Sequence, residues 1–294
     1  MKRKLTKKQF KEKEQRLAKK KEANKNVQEL DLVIPRIPKI SQSLIKALAK
    51  YRNDEECGLI IDHIYIKGQW LPSSKAQELG NYFEYICTGG LPRDKHIPEP
   101  VLLKSGKPSI DYARMDKQKE NFEAMMYEYG FEIEHTGYEF TNPKYSGIAD
   151  IIAKDVNNKN QRVIIDIKTS GLINDKWSPY GWADESIEEK WDLLLQAIHY
   201  KMLAKYEWGI EDIPFYFFVF STKNENDCKA FEIIVDESTR FQHTNNLANI
   251  KTYLDSQLEN GFKPKPKYSR CQSCGLADTC LHKVNVPIPQ KVFI

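Results

Sequence analysis

The stretch 146–170, SGIADIIAKDVNNKNQRVIIDIKTS, constrains the fold more than any other part of the chain. Two apolar, β-branched runs flank a polar turn, which predicts a β-hairpin. The runs IADII and VIIDIK are apolar on both faces, as central, doubly buried strands are. Yet Asp150 interrupts the first run, and Asp166 and Lys168 interrupt the second. Side chains alternate along a strand, so Asp166 and Lys168 point to one face. With the turn centred near Asn158, antiparallel pairing sets Asp150 opposite Asp166, their Cβ atoms about 5 Å apart. Two carboxylates that close repel unless a cation bridges them or one is protonated. A hard divalent cation, Mg²⁺ or Mn²⁺, resolves the conflict, since it takes carboxylate oxygens together with water and a substrate phosphate. Lys168 is then placed to orient a water or to offset charge developing on a phosphate. A surface hairpin with an Asp–Lys ion pair is the bland alternative. It leaves the two-faced apolar pattern unexplained, and such pairs stabilise little.

The rest of the chain predicts what surrounds this hairpin. SQSLIKALAKYR is a short helix capped at Ser41 or Ser43, and GLIIDHIYIKGQW is an irregular β segment or strand pair. Helices follow at about 73–87 and 109–129, the second stopped by Gly130. Strands are expected at about 131–140, 146–154 and 162–168, then a helix at about 186–206. Two more strands, PFYFFVFST and KAFEIIVD, precede a last helix at about 237–259. This order predicts an α/β fold of the α+β type, a mixed sheet with helices on both faces. The expected organisation is a basic N-terminal arm at 1–28, a core at 29–260 and a cysteine-rich clasp and tail at 261–294.

Charge is unevenly spread. Residues 1–26 hold twelve Lys/Arg against three Glu, so the remainder is net negative although the whole chain carries +4. The arm reads either as a solvated helix or as a non-specific phosphate-binding segment whose grip weakens with salt. No apolar run reaches the roughly 18 residues of a membrane span, and the charged N-terminus lacks a secretory h-region. A cytoplasmic location is expected, with cysteines as thiols or metal ligands rather than disulfides. No G-x-x-x-x-G-K-[ST] phosphate loop is present, so a helicase motor or recombination protein would be a separate partner.

GIAD followed sixteen residues later by DIKTS resembles the G-x-x-D … D-x-K core of the PD-(D/E)XK nuclease superfamily. By that resemblance Asp150 and Asp166 are metal ligands, joined by the backbone carbonyl of Ile167, and Lys168 positions the nucleophilic water. RecB-like members place a metal-binding residue, often His, four positions after a Gly in a preceding helix. Here Glu84 stands four after Gly80. The later LLLQAIHYKML is similar to the Q-x-x-x-Y motif of the same group, which implies that Gln196 and Tyr200 line a DNA-facing side. On helical spacing, Ile187, Trp191, Leu194, Leu195, Ile198 and Met202 form the main apolar stripe, with Gln196 and Tyr200 roughly opposite; His199 is expected at the core rim.

The tail YSRCQSCGLADTCLHK places Cys271, Cys274 and Cys280 in a C-x₂-C-x₅-C pattern. Three thiolates need a fourth ligand to close a metal site. His282 is the local candidate and would give zinc. Cys57 is the remote one. Its layout resembles the iron–sulfur RecB-like nucleases, AddB-type and CRISPR-associated, and implies a [4Fe–4S] cluster held by Cys57, Cys271, Cys274 and Cys280. Cys87 and Cys228 read as small buried hydrophobes. The resemblance implies a metal-dependent deoxyribonuclease, an exonuclease on single-stranded ends in recombination, repair or phage- or CRISPR-type processing. The alternatives are a structure-specific endonuclease or a non-catalytic DNA-binding module.

Overall fold

In the computed structural model, residues 38–90, 96–178, 181–183 and 190–287 are described. The expected arm at 1–28 and Ile187 lie outside them. A short strand β1 (Ile40–Ser41) leads into helix α1 (Gln42–Arg52), whose Ser41 side chain accepts the Leu44 N–H as an N-cap. Helix α2 (Gly58–Ile61) follows and continues into a π-helical turn, Asp62–Ile66.

This corrects the β segment expected for GLIIDHIYIKGQW. Its Ile and Tyr residues favour strands by propensity, but tertiary burial overrides that preference. An i→i+5 bond, Lys67 N–H to the Asp62 carbonyl at 2.9 Å, widens the turn. Ile61 and Ile66 then enter one core with Leu44, Ile45 and Leu48 of α1.

Helix α3 (Lys75–Thr88) opens with a capping box between Ser74 and Gln77 and ends at Gly89 in the left-handed region. Helix α4 (Ile110–Tyr129) ends the same way at Gly130, with φ 68°. The strands are β2 (Phe131–Glu139), β3 (Tyr145–Ser146), β4 (Ile148–Asp155) and β5 (Gln161–Ser170). Then come α5 (Lys190–Trp208), β6 (Phe215–Ser221), β7 (Cys228–Glu232), α6 (Glu237–Asn260) and the short α7 (Tyr268–Gln272).

Five strands form one mixed sheet in the order β2-β4-β5-β6-β7, with β5 and β6 parallel and the other neighbours antiparallel. The β4–β5 hairpin lies at its centre, as apolar runs on both faces require. Ile151, Ala153, Val163, Ile165 and Ile167 meet α3 and α4 through Phe83, Met115 and Phe122 on one face. Ile152 and Ile164 meet α5 on the other. The sheet is thus sandwiched, and charged residues on β4 and β5 can be tolerated only where the strands part or a partner waits.

Candidate active site

Pairing between β4 and β5 runs from Asp155–Gln161 to Ile151–Ile165. That register is the one centred on Asn158, and its next step would set Asp150 against Asp166. The ladder stops there. Instead the Asp150 carboxylate (Oδ2) accepts the Ile167 backbone N–H at 2.8 Å. Asp166, only 1 % exposed, forms an ion pair with Lys168 through Oδ2 and accepts a hydrogen bond from the Gln196 amide at Oδ1. Its Oδ2 meets the Lys168 ammonium as a charge contact without hydrogen-bond alignment.

Glu84 joins the pair from α3. This helix crosses the end of β5, where a Cβ on Gly80 would stand 3.6 Å from the Thr169 hydroxyl. Burial pushes all three carboxyls above their ordinary range. For Asp150 the rise is largest, with the charges of Asp166 and then Glu84 adding to it. For Glu84 the Asp166 charge comes second, and Lys168 pulls the other way. Asp166 is relieved by Lys168, by Lys46 and by the Gln196 hydrogen bond. Three buried carboxyls, two of them pushed up further by a neighbouring carboxylate, all with oxygen donors, fit a hard divalent cation. As placed, no three His, Cys, Asp or Glu side chains among the described residues converge closely enough to hold one metal ion. The Asp150 and Asp166 carboxylates are engaged by Ile167, Lys168 and Gln196 instead.

Sequence reading missed Lys46. It lies on α1, about a hundred residues before the hairpin, and only the packing of α1 on α5 brings its charge to Asp166. No local pattern marks it.

Helix α5 departs from the single stripe expected of it. Leu193, Ala197, Ile198, Leu203 and Ala204 pack on the sheet, while Leu195 faces α1. The helix is buried on two sides, so Gln196 and Tyr200 are buried too. Gln196 turns to Asp166. Tyr200, 5 % exposed, packs near Phe140 and Phe215 and donates its hydroxyl to the Ile148 carbonyl at 2.7 Å. The DNA-facing position expected for Tyr200 is therefore corrected to a core position bracing the start of β4. A Cβ on Gly147 would come within 2.8 Å of the Tyr200 ring and 2.6 Å of Leu203. The glycine of GIAD thus serves the close approach of α5. His199 is fully buried rather than at a rim, between the Ser146 carbonyl at 3.1 Å and His243 at 3.4 Å.

Elsewhere in the molecule, Cys57, Cys271, Cys274, Cys280 and His282 line one small cavity of about 20 Å³. The Lys265 N–H donates to Cys57 Sγ and the Leu276 N–H to Cys274 Sγ, both at 3.4 Å. Direct contacts already close this clasp. Arg270 donates to the Asp54 carbonyl at 2.6 Å, and Lys263 N–H to the Tyr51 hydroxyl at 3.0 Å. Gly58 is required here, since a Cβ would stand 2.3 Å from the Lys263 carbonyl. Soft thiolates that accept N–H bonds suit zinc or an iron–sulfur cluster by donor chemistry, although the sulfurs do not yet converge at ligand distance. Cys87 and Cys228 are half-buried, and burial pushes both thiols up.

Residues 65–283 match the profile of the family described as a PDDEXK-like domain of unknown function (DUF3799). The chain belongs to this family. The crystal structure of an Eubacterium rectale protein, provisionally named an exonuclease, is similar at a TM-score of 0.57 and 17% identity. The match covers 86% of this chain and 91% of that one, and it shows the PDDEXK-like fold. The crystal structure of SSO0001 aligns over 57% of this chain and 68% of that one, at 18% identity and a TM-score of 0.28, too low to carry an argument. No curated protein is significantly similar to the chain. Family and fold together support a nuclease. No helix among the described residues is long and apolar enough to cross a membrane.

Proposed function

We propose that the chain is a divalent-metal-dependent deoxyribonuclease. The observation that carries this reading is the electrostatic coupling of three buried carboxyls beside the Lys168 ammonium: burial disfavours the anion of Glu84, Asp150 and Asp166, the Asp166 charge adds to this at Glu84 and Asp150, and the Glu84 charge adds to it at Asp150. Glu84, Asp150 and Asp166, with the Ile167 carbonyl, would hold Mg²⁺ or Mn²⁺. When bound, the cation supplies charge stabilisation to a phosphodiester and activates water for attack. Lys168, fixed by Asp166, orients the attacking water and offsets charge on the phosphate. Gln196 holds the Asp166 carboxylate in one orientation, and Tyr200 holds β4, and with it Asp150, against α5.

Purified protein incubated with labelled linear and circular DNA, single- and double-stranded, with Mg²⁺ or Mn²⁺, tests the reading. Cleavage is expected, and Asp166→Ala or Lys168→Ala should abolish it with the fold intact. Full activity in either variant refutes the site. The exonuclease mode on single-stranded ends is the finer reading, supported by the resemblance to RecB-like enzymes and by the name of the Eubacterium rectale protein. It requires that circles be spared.

The cysteine clasp is read as a [4Fe–4S] site of Cys57, Cys271, Cys274 and Cys280. The observation favouring it is that segments more than two hundred residues apart in sequence share one cavity lined by all four. Closing so long a loop restricts the unfolded chain most. Iron and sulfide analysis of anaerobically purified protein decides it. Zinc in stoichiometric amount, with no iron, assigns the site to zinc.

A further inference from the structure

The turn between β6 and β7 is fastened far more firmly than the closure of two antiparallel strands requires. Gln118 of α4, with no exposed surface, directs its amide nitrogen at the carbonyls of Ser221 (3.1 Å), Asn224 (2.9 Å) and Asp227 (3.0 Å). Asn121 donates to the Glu225 carbonyl at 2.7 Å, and Arg114 donates to that of Thr222. The Ser221 hydroxyl accepts the N–H groups of Lys223 (3.2 Å) and Asn224 (3.0 Å). Releasing these carbonyls would leave the fully buried Gln118 amide without acceptors, which costs free energy, so the turn keeps one shape.

What the fixed turn presents is Lys223. The Thr222 N–H donates to the Ser170 carbonyl at 2.8 Å, tying the turn to the end of β5. The Lys223 side chain then lies over Gly171, where a Cβ would stand 3.3 Å from its Cε and 3.7 Å from its Nζ. Gly171 is three residues beyond Lys168, or about 10 Å along the chain. That is a span of a few nucleotides on a strand. The surrounding cations are neutralised: Lys117 by Glu225 at 2.6 Å, Lys229 by Asp175 at 2.6 Å, Arg114 by Asp111 at 3.6 Å. Lys223 is exposed and has no carboxylate partner among the described residues.

We infer that Lys223 is a backbone-phosphate contact for the nucleic-acid strand, beside the scissile position, and that Gln118 is the positioning residue that holds it there. The inference rests on the nuclease reading. An ammonium fixed by its mount loses less freedom on binding than one on a mobile loop, and a phosphate contact of this kind positions the strand without reading its sequence.

The test is binding of the full-length protein to a fluorescent single-stranded oligonucleotide in EDTA, over a range of salt concentrations. It is paired with steady-state cleavage in Mg²⁺. Lys223→Ala is expected to reduce the log–log salt slope by about 0.7, the value for one phosphate on a single strand. It should raise KM with kcat unchanged, and Lys223→Arg should retain both. Gln118→Ala should weaken binding in the Lys223 background and add nothing in Lys223→Ala. A wild-type salt slope and KM in Lys223→Ala overturn the inference while cleavage by the wild type leaves the nuclease reading standing. Equal weakening by Gln118→Ala in both backgrounds overturns the positioning role. If the wild type neither binds nor cleaves nucleic acid, both readings fall. Should Gln118→Ala not fold, the surface pair Lys223→Ala and Lys223→Arg decides alone.

Discussion

Asp150 accepts the backbone N–H of Ile167 at 2.8 Å, just past the last β4–β5 pair, Ile151–Ile165. A carboxylate thus continues the sheet where main-chain pairing ends, and it does so beside Asp166. Burial and the neighbouring charges push the Asp150 carboxyl well above its ordinary range. A folded pKa above the unfolded one means that the native state binds the extra proton. Its stabilisation is complete below the ordinary carboxylate pKa and is lost as pH rises through the folded value. Asp150→Asn removes the charge and keeps an oxygen for Ile167. Without divalent metal near neutral pH, it should raise Tm by a few degrees, since 1 kcal/mol is worth about 2–4 °C in a domain of about 150–250 residues. The gain should shrink toward pH 4. A lowered Tm near neutral pH contradicts the assignment of strain to this carboxyl.

The same three anions predict a ligand effect that needs no turnover. A cation that binds the native state alone stabilises it by about 2.7 kcal/mol at a hundred times its Kd. Mg²⁺ or Mn²⁺ should therefore raise the Tm of the wild type and leave that of Asp150→Asn nearly unchanged. Thermal scans across a metal titration read this directly, and equal shifts in both proteins place the metal elsewhere.

Gln196 makes a prediction about orientation. Its amide fixes the Asp166 oxygen that Lys168 does not engage. Removing such an outer partner of a candidate ligand costs about 10–100-fold in metal affinity or activity. Gln196→Ala should fall in that range with secondary structure retained. Unchanged metal dependence of cleavage would make Gln196 a packing residue only.

The hairpin was legible because its information is local. Alternation, a polar turn and a centre at Asn158 set which residues face one another, and the observed register follows. Caps at Ser41 and the stop at Gly130 were legible for the same reason. What sequence reading missed is decided at long range. The helical turn through Ile61 and Ile66 is fixed by burial against α1, against its own β propensity. Tyr200 moved from an open face to the core because α5 is covered by both the sheet and α1. Lys46 comes to bear on Asp166, and Lys223 lies over Gly171, only through packing of elements distant in the chain, where single-chain spacing carries no signal.

Gly147 tests how tightly the two motifs are joined. A methyl there must displace the buried Tyr200 ring or Leu203, and overpacking of this kind costs about 1–3 kcal/mol. Gly147→Ala should lower the denaturation midpoint by that amount with the m-value unchanged. Tyr200→Phe keeps the ring and leaves the Ile148 carbonyl without the hydroxyl, so it should cost less than Gly147→Ala does. Wild-type stability in Gly147→Ala would show that α5 can yield, and that the glycine is not needed for close approach.

The buried pair His199 and His243 makes the stability of the fold fall on the acid side. Burial lowers His199 from 6.5 to about 3, with the His243 charge second, and burial lowers His243 from 6.5 to about 4. Both are neutral in the native state, whereas the unfolded chain binds a proton on each below about 6.5. The unfolded state therefore binds more protons, and stability rises with pH in that window. It is fully present above about 6.5 and is lost as pH falls toward the folded values. Replacing one titrating ring, as in His243→Phe, should flatten the slope of unfolding free energy against pH between about 4.5 and 6 by up to about 1.4 kcal/mol per pH unit. Urea denaturation at a series of pH values measures the slope in both proteins. The comparison between them cancels the opposite contribution of the three carboxyls, and an unchanged slope would mean that His243 is protonated in the native state.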